Sequence, residues 1–183
     1  MTRVLVTGGD GFIGRHAVHA LSALGCDVTV ASRTPRDTSD TRPVAIDLLE
    51  PGSARSLIMQ TTPDVLLHLA WETETGAFWT AESNGRWLDS SRELLDAFLD
   101  GGGLRAVFAG SCAEYDWTAL KPGGIAVEEK TPCVPVTKYG AAKMALFDHV
   151  QRHISQGASC AWGRLFLLYG EHEHPNRFTS SII

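Results

Sequence analysis

Apolar positions recur along the chain in two alternating rhythms. Short aliphatic or β-branched runs fall at Arg3–Thr7, Asp27–Ser32, Val44–Ile46, Val65–Ala70, Arg105–Ala109 and Cys160–Leu168, each the length of a strand. Between them the spacing turns helical: Phe12, Ile13, Ala17, Ala20, Leu21 and Leu24; a short stretch over Ser53–Gln60; Trp87, Leu88, Leu94, Leu95 and Phe98 within Glu82–Leu99; and Phe147, Val150 and Ile154 within Thr137–Ile154. Gly25 stands where the first helix should stop. Thr34–Arg42, rich in Thr, Asp, Ser and Arg, predicts an exposed loop. Asp116–Val136, with Pro122, Gly123, Gly124, Pro132 and Pro135, predicts the longest irregular segment, and loops of that length usually carry function. Strands that are apolar throughout and alternate with helices predict an α/β fold, a Rossmann-type doubly wound parallel sheet covered on both faces.

Composition narrows the class without altering that picture. Of 183 residues, 44% are hydrophobic and 20% charged, which is ordinary for a globular domain. A net charge of −5 leaves no electrostatic footprint for nucleic acid or an anionic membrane surface. No apolar run reaches the roughly 20 residues of a membrane-spanning helix. Met1–Val6 leads straight into the first strand, so no signal peptide is expected. Cys26, Cys112, Cys133 and Cys160 lack C-x-x-C spacing, and reduced thiols in a cytoplasmic protein are the expectation.

Candidate chemistry begins at the first strand-to-helix junction. Gly8, Gly11 and Gly14 within Thr7-Gly-Gly-Asp-Gly-Phe-Ile-Gly14 have G-x-x-G-x-x-G spacing. Glycines there permit a tight turn and a close approach of backbone to a pyrophosphate, while the helix start offers unpaired N–H groups and its dipole. A strand before and a helix after give the motif its meaning as a dinucleotide site. The second strand ends in Ala31-Ser-Arg-Thr34, without the acid that usually binds ribose hydroxyls, and Asp27 lies at its wrong end. Ser32 and Arg33, with Arg36 as a second cation, suit a 2′-phosphate and favour NADP(H), with NAD(H) the alternative. Asp47 either accepts from the adenine amino group or is an exposed loop aspartate.

Tyr139 and Lys143 stand four apart in a helical stretch, which puts them on one face. A lysine ammonium near a phenol favours phenolate, and a phenol so tuned can exchange a proton with a carbonyl or alcohol oxygen.

Taken with the glycine loop, these residues resemble the extended short-chain dehydrogenase/reductases, of the NAD(P)-dependent epimerase/dehydratase type that acts on nucleotide sugars. The resemblance runs through TGGDGFIG at Thr7–Gly14, DVLLHLA at Asp64–Ala70, AGSCAEY at Ala109–Tyr115, EEKTPCVPVTKYGAAK at Glu128–Lys143 and RLFLLYG at Arg164–Gly170. It implies that Tyr139 is the acid/base, that Lys143 holds the nicotinamide ribose and tunes Tyr139, and that Ser111 hydrogen-bonds the reacting oxygen. It extends the cofactor contacts to Phe12, Ile13, Leu48, Leu69 and Ala70, beside Tyr139 and Lys143. Asn84 matches an asparagine that supports the lysine through a helix irregularity.

Two departures shape the expected activity. Sugar 4,6-dehydratases of this type carry Asp-Glu just after the Ser/Thr, where this chain has Cys112 and Ala113, so elimination of water is disfavoured. Glu114, one place on, is either a substrate contact or an exposed strand end. Relatives of this type continue into a small C-terminal domain that clamps the sugar, so residues 1–183 are expected to be the NAD(P)-binding domain without it. The expected activity is NADPH-dependent reduction of a nucleotide-linked 4-keto-6-deoxysugar. A nucleotide-sugar 4-epimerase with retained NAD, or a non-catalytic dinucleotide sensor, are the alternatives. A homodimer is expected through the helices at Glu82–Leu99 and Thr137–Ile154, because Trp87, Leu94, Phe98, Met144, Leu146 and Val150 exceed what one sheet face needs. His172 and His174 form an H-x-H with no further ligand marked, so no metal site is expected; a polar loop over the substrate suits them better. His68 reads as a hydrogen-bonded core residue near the cofactor, Trp71 as cleft lining or packing, and Cys112 as no nucleophile.

Overall fold

The computed structural model describes residues 1–72, 74, 76–119, 124–125 and 130–173. Its strands are β1 (Arg3–Thr7), β2 (Asp27–Ser32), β3 (Arg42–Ala45), β4 (Val65–His68), β5 (Arg105–Ser111) and β6 (Cys160–Leu165). The helices are α1 (Phe12–Ala23), α2 (Ser53–Thr61), α3 (Ser83–Asp100) and α4 (Lys138–Ser155). Every strand pair is parallel, in the order β3-β2-β1-β4-β5-β6. The chain winds outward one way from β1 and the other way from β4, so a crevice opens beyond their C-terminal ends.

Side chains alternate across the sheet and the two faces are built differently. Leu5, Leu66, Ala106 and Phe108 point to one face and pack against Leu57 and Ile58 of α2, Leu94, Leu95 and Phe98 of α3, and Leu146 and Val150 of α4. Val4, Val6, Val28 and Val30 point to the other and meet Val18 and Leu21 of α1.

Four strands depart from the expected limits, each for a physical reason. β5 runs on to Ser111 rather than stopping at Ala109, because its pairing with β6 continues through Ser111 and Leu165. β3 starts at Arg42, inside the expected loop, because an exposed edge strand carries no apolar signal; its register is set by pairing with β2, and Arg42 is ion-paired to Asp27 at 2.8 Å. β4 stops at His68 rather than Ala70, because Leu69 and Ala70 turn across the glycine loop. β6 stops at Leu165 rather than Leu168, where its partner β5 gives way to a 3₁₀ turn at Cys112–Glu114. A second 3₁₀ turn, Trp117–Ala119, lies in the long irregular segment. Pro122 and Gly123 of that segment, and His174, lie outside the described residues.

Candidate active site

The β1–α1 junction is shaped by what cannot fit there. Gly8 has φ +72°, and a Cβ on it would lie 2.7 Å from the Ala70 nitrogen. A Cβ on Gly14 would lie 2.1 Å from the Gly8 carbonyl oxygen. Both distances are far inside van der Waals contact, so only glycine lets Leu69–Ala70, the loop and α1 meet this closely. Gly11 occupies the N-cap of α1, with no side-chain cap among the described residues, so the first-turn amides of Phe12, Ile13 and Gly14 keep their donors for an anion.

At the C-terminal end of β2, Arg33 is exposed and Ser32 half-buried. The Ser32 hydroxyl donates to Asp10 Oδ2 at 2.8 Å, and Arg36 lies 4.0 Å from Asp10 Oδ1. The strand end therefore does have an acid, delivered by the glycine loop rather than by β2. Sequence reading passed over it by looking for the acid along the strand alone. Arg15 is fixed nearby by donating to the Asp10 carbonyl at 2.9 Å. Asp47 Oδ1 accepts from the Leu49 N–H at 2.9 Å in a tight turn, and Leu48 is buried in the core with its carbonyl accepting from Ser90.

Across the crevice, a polar network sits inside the apolar core. Lys143 is 3% exposed; its Nζ donates to the Ala109 carbonyl at 2.9 Å and lies 3.8 Å above the Trp71 ring. The same Nζ is 5.9 Å from the centre of the Tyr139 ring. Burial pushes the amine down to about 7, against the pull of Glu114, so its charge toggles near neutrality. His68 lies beneath. Ser91 donates to the Trp87 carbonyl at 2.6 Å, so its oxygen accepts His68 Nε2–H at 2.8 Å, and Nδ1 accepts from Thr7 at 2.7 Å. Burial, then Lys143, lower His68 to about 3 and keep it neutral. His68 is thus the hydrogen-bonded core residue anticipated.

Tyr139 stands among aromatic edges: Phe78 at 5.0 Å, Trp79 at 5.7 Å and Trp71 at 6.2 Å between ring centres. Asn84 holds this enclosure. Its Oδ1 accepts from Trp71 Nε1 at 2.8 Å and its Nδ2 donates to the carbonyls of Phe78 at 2.7 Å and Ala81 at 2.9 Å. The expected helix irregularity is not there: α3 runs unbroken from Ser83, and Asn84 reaches the lysine by fixing the ring beneath it. Nothing in the local sequence marks Trp71 for this position, since the contact joins β4's end to α4.

Ser111 ends β5, 9% exposed, its Oγ accepting from the Ala113 N–H at 3.1 Å. A Cβ on Gly140 would lie 2.4 Å from the Ala113 carbonyl, which seats the start of α4, and so Tyr139, directly against this turn. Glu114 corrects the expectation of a substrate contact or an exposed strand end. It is fully buried, accepts from the Ser111 N–H at 2.7 Å and from Trp162 Nε1, and pairs with Arg164 Nε at 2.6 Å. A buried carboxylate needs such partners, and once paired it has none of its charge free for a substrate. Burial raises the Cys112 thiol above its ordinary value, in keeping with a cysteine that is no nucleophile.

The His172 ring packs 5.7 Å from His16 of α1, whose Nε2 contacts the Glu171 carbonyl at 3.0 Å. Of the six apolar side chains on which a homodimer was expected, Leu94, Phe98, Leu146 and Val150 are buried within the chain, whereas Trp87 and Met144 are half-buried. No described helix is long and apolar enough to cross a membrane.

A parallel sheet with a glycine-lined turn between β1 and α1, and a tyrosine–lysine pair on α4 against β5's end, defines the extended short-chain dehydrogenase/reductase architecture. Residues 4–183 match the NAD dependent epimerase/dehydratase family, and the chain belongs to it. It is 32% identical over 154 residues to a UDP-glucose 4-epimerase of Azospirillum brasilense, covering 78% of this chain and 42% of that protein. It is 29% identical over 162 residues to a dTDP-6-deoxy-L-talose 4-dehydrogenase (NAD(P)(+)) of Kitasatospora kifunensis, covering 85% and 48%. The chain thus spans about half the length of these curated relatives. Among solved structures, the NAD-dependent NDP-hexosamine 5,6-dehydratase TunA superposes with a TM-score of 0.77 at 27% identity, over 99% of this chain and 60% of that one. MoeE5, solved with UDP-glucose and NAD, gives 0.76 at 26%, over 98% and 59%.

Proposed function

We propose that this chain is the cofactor-binding domain of an NADPH-dependent reductase acting on a nucleotide-linked 4-keto-6-deoxysugar, with the sugar-clamping part outside it. The observation that carries the reading is the fate of the carboxylates after Ser111. Cys112 and Ala113 hold the places used for elimination, and Glu114 is sealed against Arg164, so no described acid there can drive loss of water. Hydride transfer needs none. A reduced nicotinamide would supply the hydride; Ser111 would polarise the carbonyl and Tyr139 protonate its oxygen, with Lys143 replenishing or tuning that proton. The relative named as a 6-deoxysugar 4-dehydrogenase supports the substrate class. The family is NAD dependent. Here Arg33 and Arg36 favour the 2′-phosphate, and Arg36 already offsets part of the charge of Asp10.

A second reading, 4-epimerisation with retained NAD, is favoured by the 32% identity to a UDP-glucose 4-epimerase. One assay separates the two. With NADPH or NADH and a panel of nucleotide 4-keto-6-deoxysugars, the reductase consumes reduced cofactor in proportion to alcohol formed. Inversion at C4 of UDP-glucose without net cofactor consumption would instead establish the epimerase. Cofactor binding with neither reaction would leave a dinucleotide sensor.

A further inference from the structure

α3 and α4 lie side by side on the sheet, and near their C-terminal ends they bring three metal-ligating side chains together. His149 and His153 stand one turn apart on one face of α4. Their Nε2 atoms lie 2.7 and 2.8 Å from the same atom, Oδ1 of Asp96 on α3. The side chains of His149, His153 and Asp96 are 13%, 25% and 42% exposed, so the cluster is walled by the helices and open on one side. Arg152 Nη2 lies 3.0 Å from His149 Nδ1. A guanidinium can only donate, so Nδ1 accepts, and the imidazole hydrogen is on Nε2, aimed at Asp96. A second proton on that ring would face the guanidinium. The result is two imidazoles converging on one carboxylate oxygen, with the pair of ring nitrogens and the oxygen all within 4.8 Å of one another.

We propose that Asp96, His149 and His153 form a binding site for a zinc-type divalent ion, with water entering from the open side as the fourth ligand. Two imidazoles and a carboxylate suit zinc and its late first-row neighbours, whereas magnesium and calcium prefer all-oxygen sites. Bonds of about 2.0–2.2 Å in tetrahedral geometry separate ligand atoms by about 3.3 Å. The present contacts therefore open by about half an ångström, within reach of small side-chain rotations. Each imidazole offers its Nε2 lone pair once its hydrogen has moved to Nδ1 by exchange with water, so the rings lose no net proton. His149 Nδ1 then becomes a donor, and the exposed Arg152 swings away. The ion staples α3, which carries the Ser91 that holds His68, to α4, which carries Tyr139 and Lys143. It binds the folded state alone and so stabilises it.

Chelator-stripped protein titrated with Zn²⁺ against a chromophoric chelator should take up one ion per chain at this cluster, and Co²⁺ should give the intense visible absorption of a tetrahedral site. Tm should rise by roughly 5–10 °C at a hundredfold excess of Zn²⁺ over Kd. Asp96→Asn and His153→Ala should each abolish that uptake. Arg152→Glu, which gives His149 Nδ1–H an acceptor in place of a competing donor, should tighten binding by about tenfold. This variant removes no ligand, so it reports on the site even where a ligand variant folds poorly. No uptake by the unaltered protein, one ion per two chains, or uptake unchanged in Asp96→Asn and His153→Ala would overturn the proposal.

Discussion

The two sides of the crevice are made of different material. On the α1 side the site is backbone: a turn in which Gly8 and Gly14 leave no room for a Cβ, and a helix start with no side-chain cap among the described residues. On the α4 side it is side chains drawn from β1, β4 and the turn after it, α3 and α4. Thr7, His68, Ser91, Trp71, Asn84 and Lys143 meet there through hydrogen bonds of 2.6–2.9 Å and one cation–ring contact of 3.8 Å. A backbone cradle binds whatever has phosphates and tolerates change in its surroundings. A buried side-chain network sets protonation states, and it fails when any one member is left without its partner.

That contrast can be broken most decisively at Tyr139. Tyr139→Phe keeps the ring in its aromatic enclosure but removes the proton, so turnover should fall about 10²–10⁴-fold while cofactor affinity stays within twofold of the original. Steady-state kinetics and a fluorescence titration of NADPH check both arms; a variant that loses affinity as well would show that the two sides are not separable.

Gly14→Ala should do the converse. Its Cβ, 2.1 Å from the Gly8 oxygen, must push α1 off the loop. Overpacking of this kind costs about 1–3 kcal/mol, visible as a lower Tm, together with weakened dinucleotide binding.

The buried network also predicts pH dependence. Lys143 loses its proton near 7 in the folded chain and near 10.5 when unfolded, so between these values the unfolded state holds more protons and stability rises with pH. His68 titrates near 3 folded and near 6.5 unfolded, so its contribution is complete above 6.5 and is lost as the pH falls toward 3. Each slope approaches about 1.4 kcal/mol per pH unit at most. Denaturant unfolding at several pH values should show the alkaline slope reduced in Lys143→Met and the acid slope reduced in His68→Gln, relative to the unaltered protein.

The smallest expected effect lies at the end of β2, where the proposed 2′-phosphate would sit. Asp10→Asn removes the carboxylate that Ser32 and Arg36 face, and it should shift preference toward NADPH by up to about fivefold, the scale of an exposed charge interaction. Parallel titrations with NADPH and NADH measure it, and a shift toward NADH would reverse the assignment of that end.

How much of this was legible beforehand follows from the same division. β1 and β2 were read to the residue, and the glycine loop was recognisable, because a strand-to-helix glycine turn is a local object: strand, tight turn and helix start are consecutive in sequence. Tyr139 and Lys143 were legible for a similar reason, since helical spacing alone puts them on one face. β3 was misplaced because an edge strand has no apolar face to announce it. Glu114 was misread because its partner, Arg164, is 50 residues away on a strand that becomes its neighbour only when the sheet is assembled.

The same holds for Asp10 against Ser32, for Asn84 and Trp71 under Lys143, and for Asp96 against His149 and His153, all pairs joined by tertiary contact. By itself the sequence determined the alternation of elements, the glycine turn and the tyrosine–lysine pair, because backbone sterics and helical periodicity act over a few residues. Which carboxylates are neutralised, which amine is desolvated and which histidines converge was decided only by the tertiary structure, because burial and charge pairing depend on distance in space, which sequence separation does not encode.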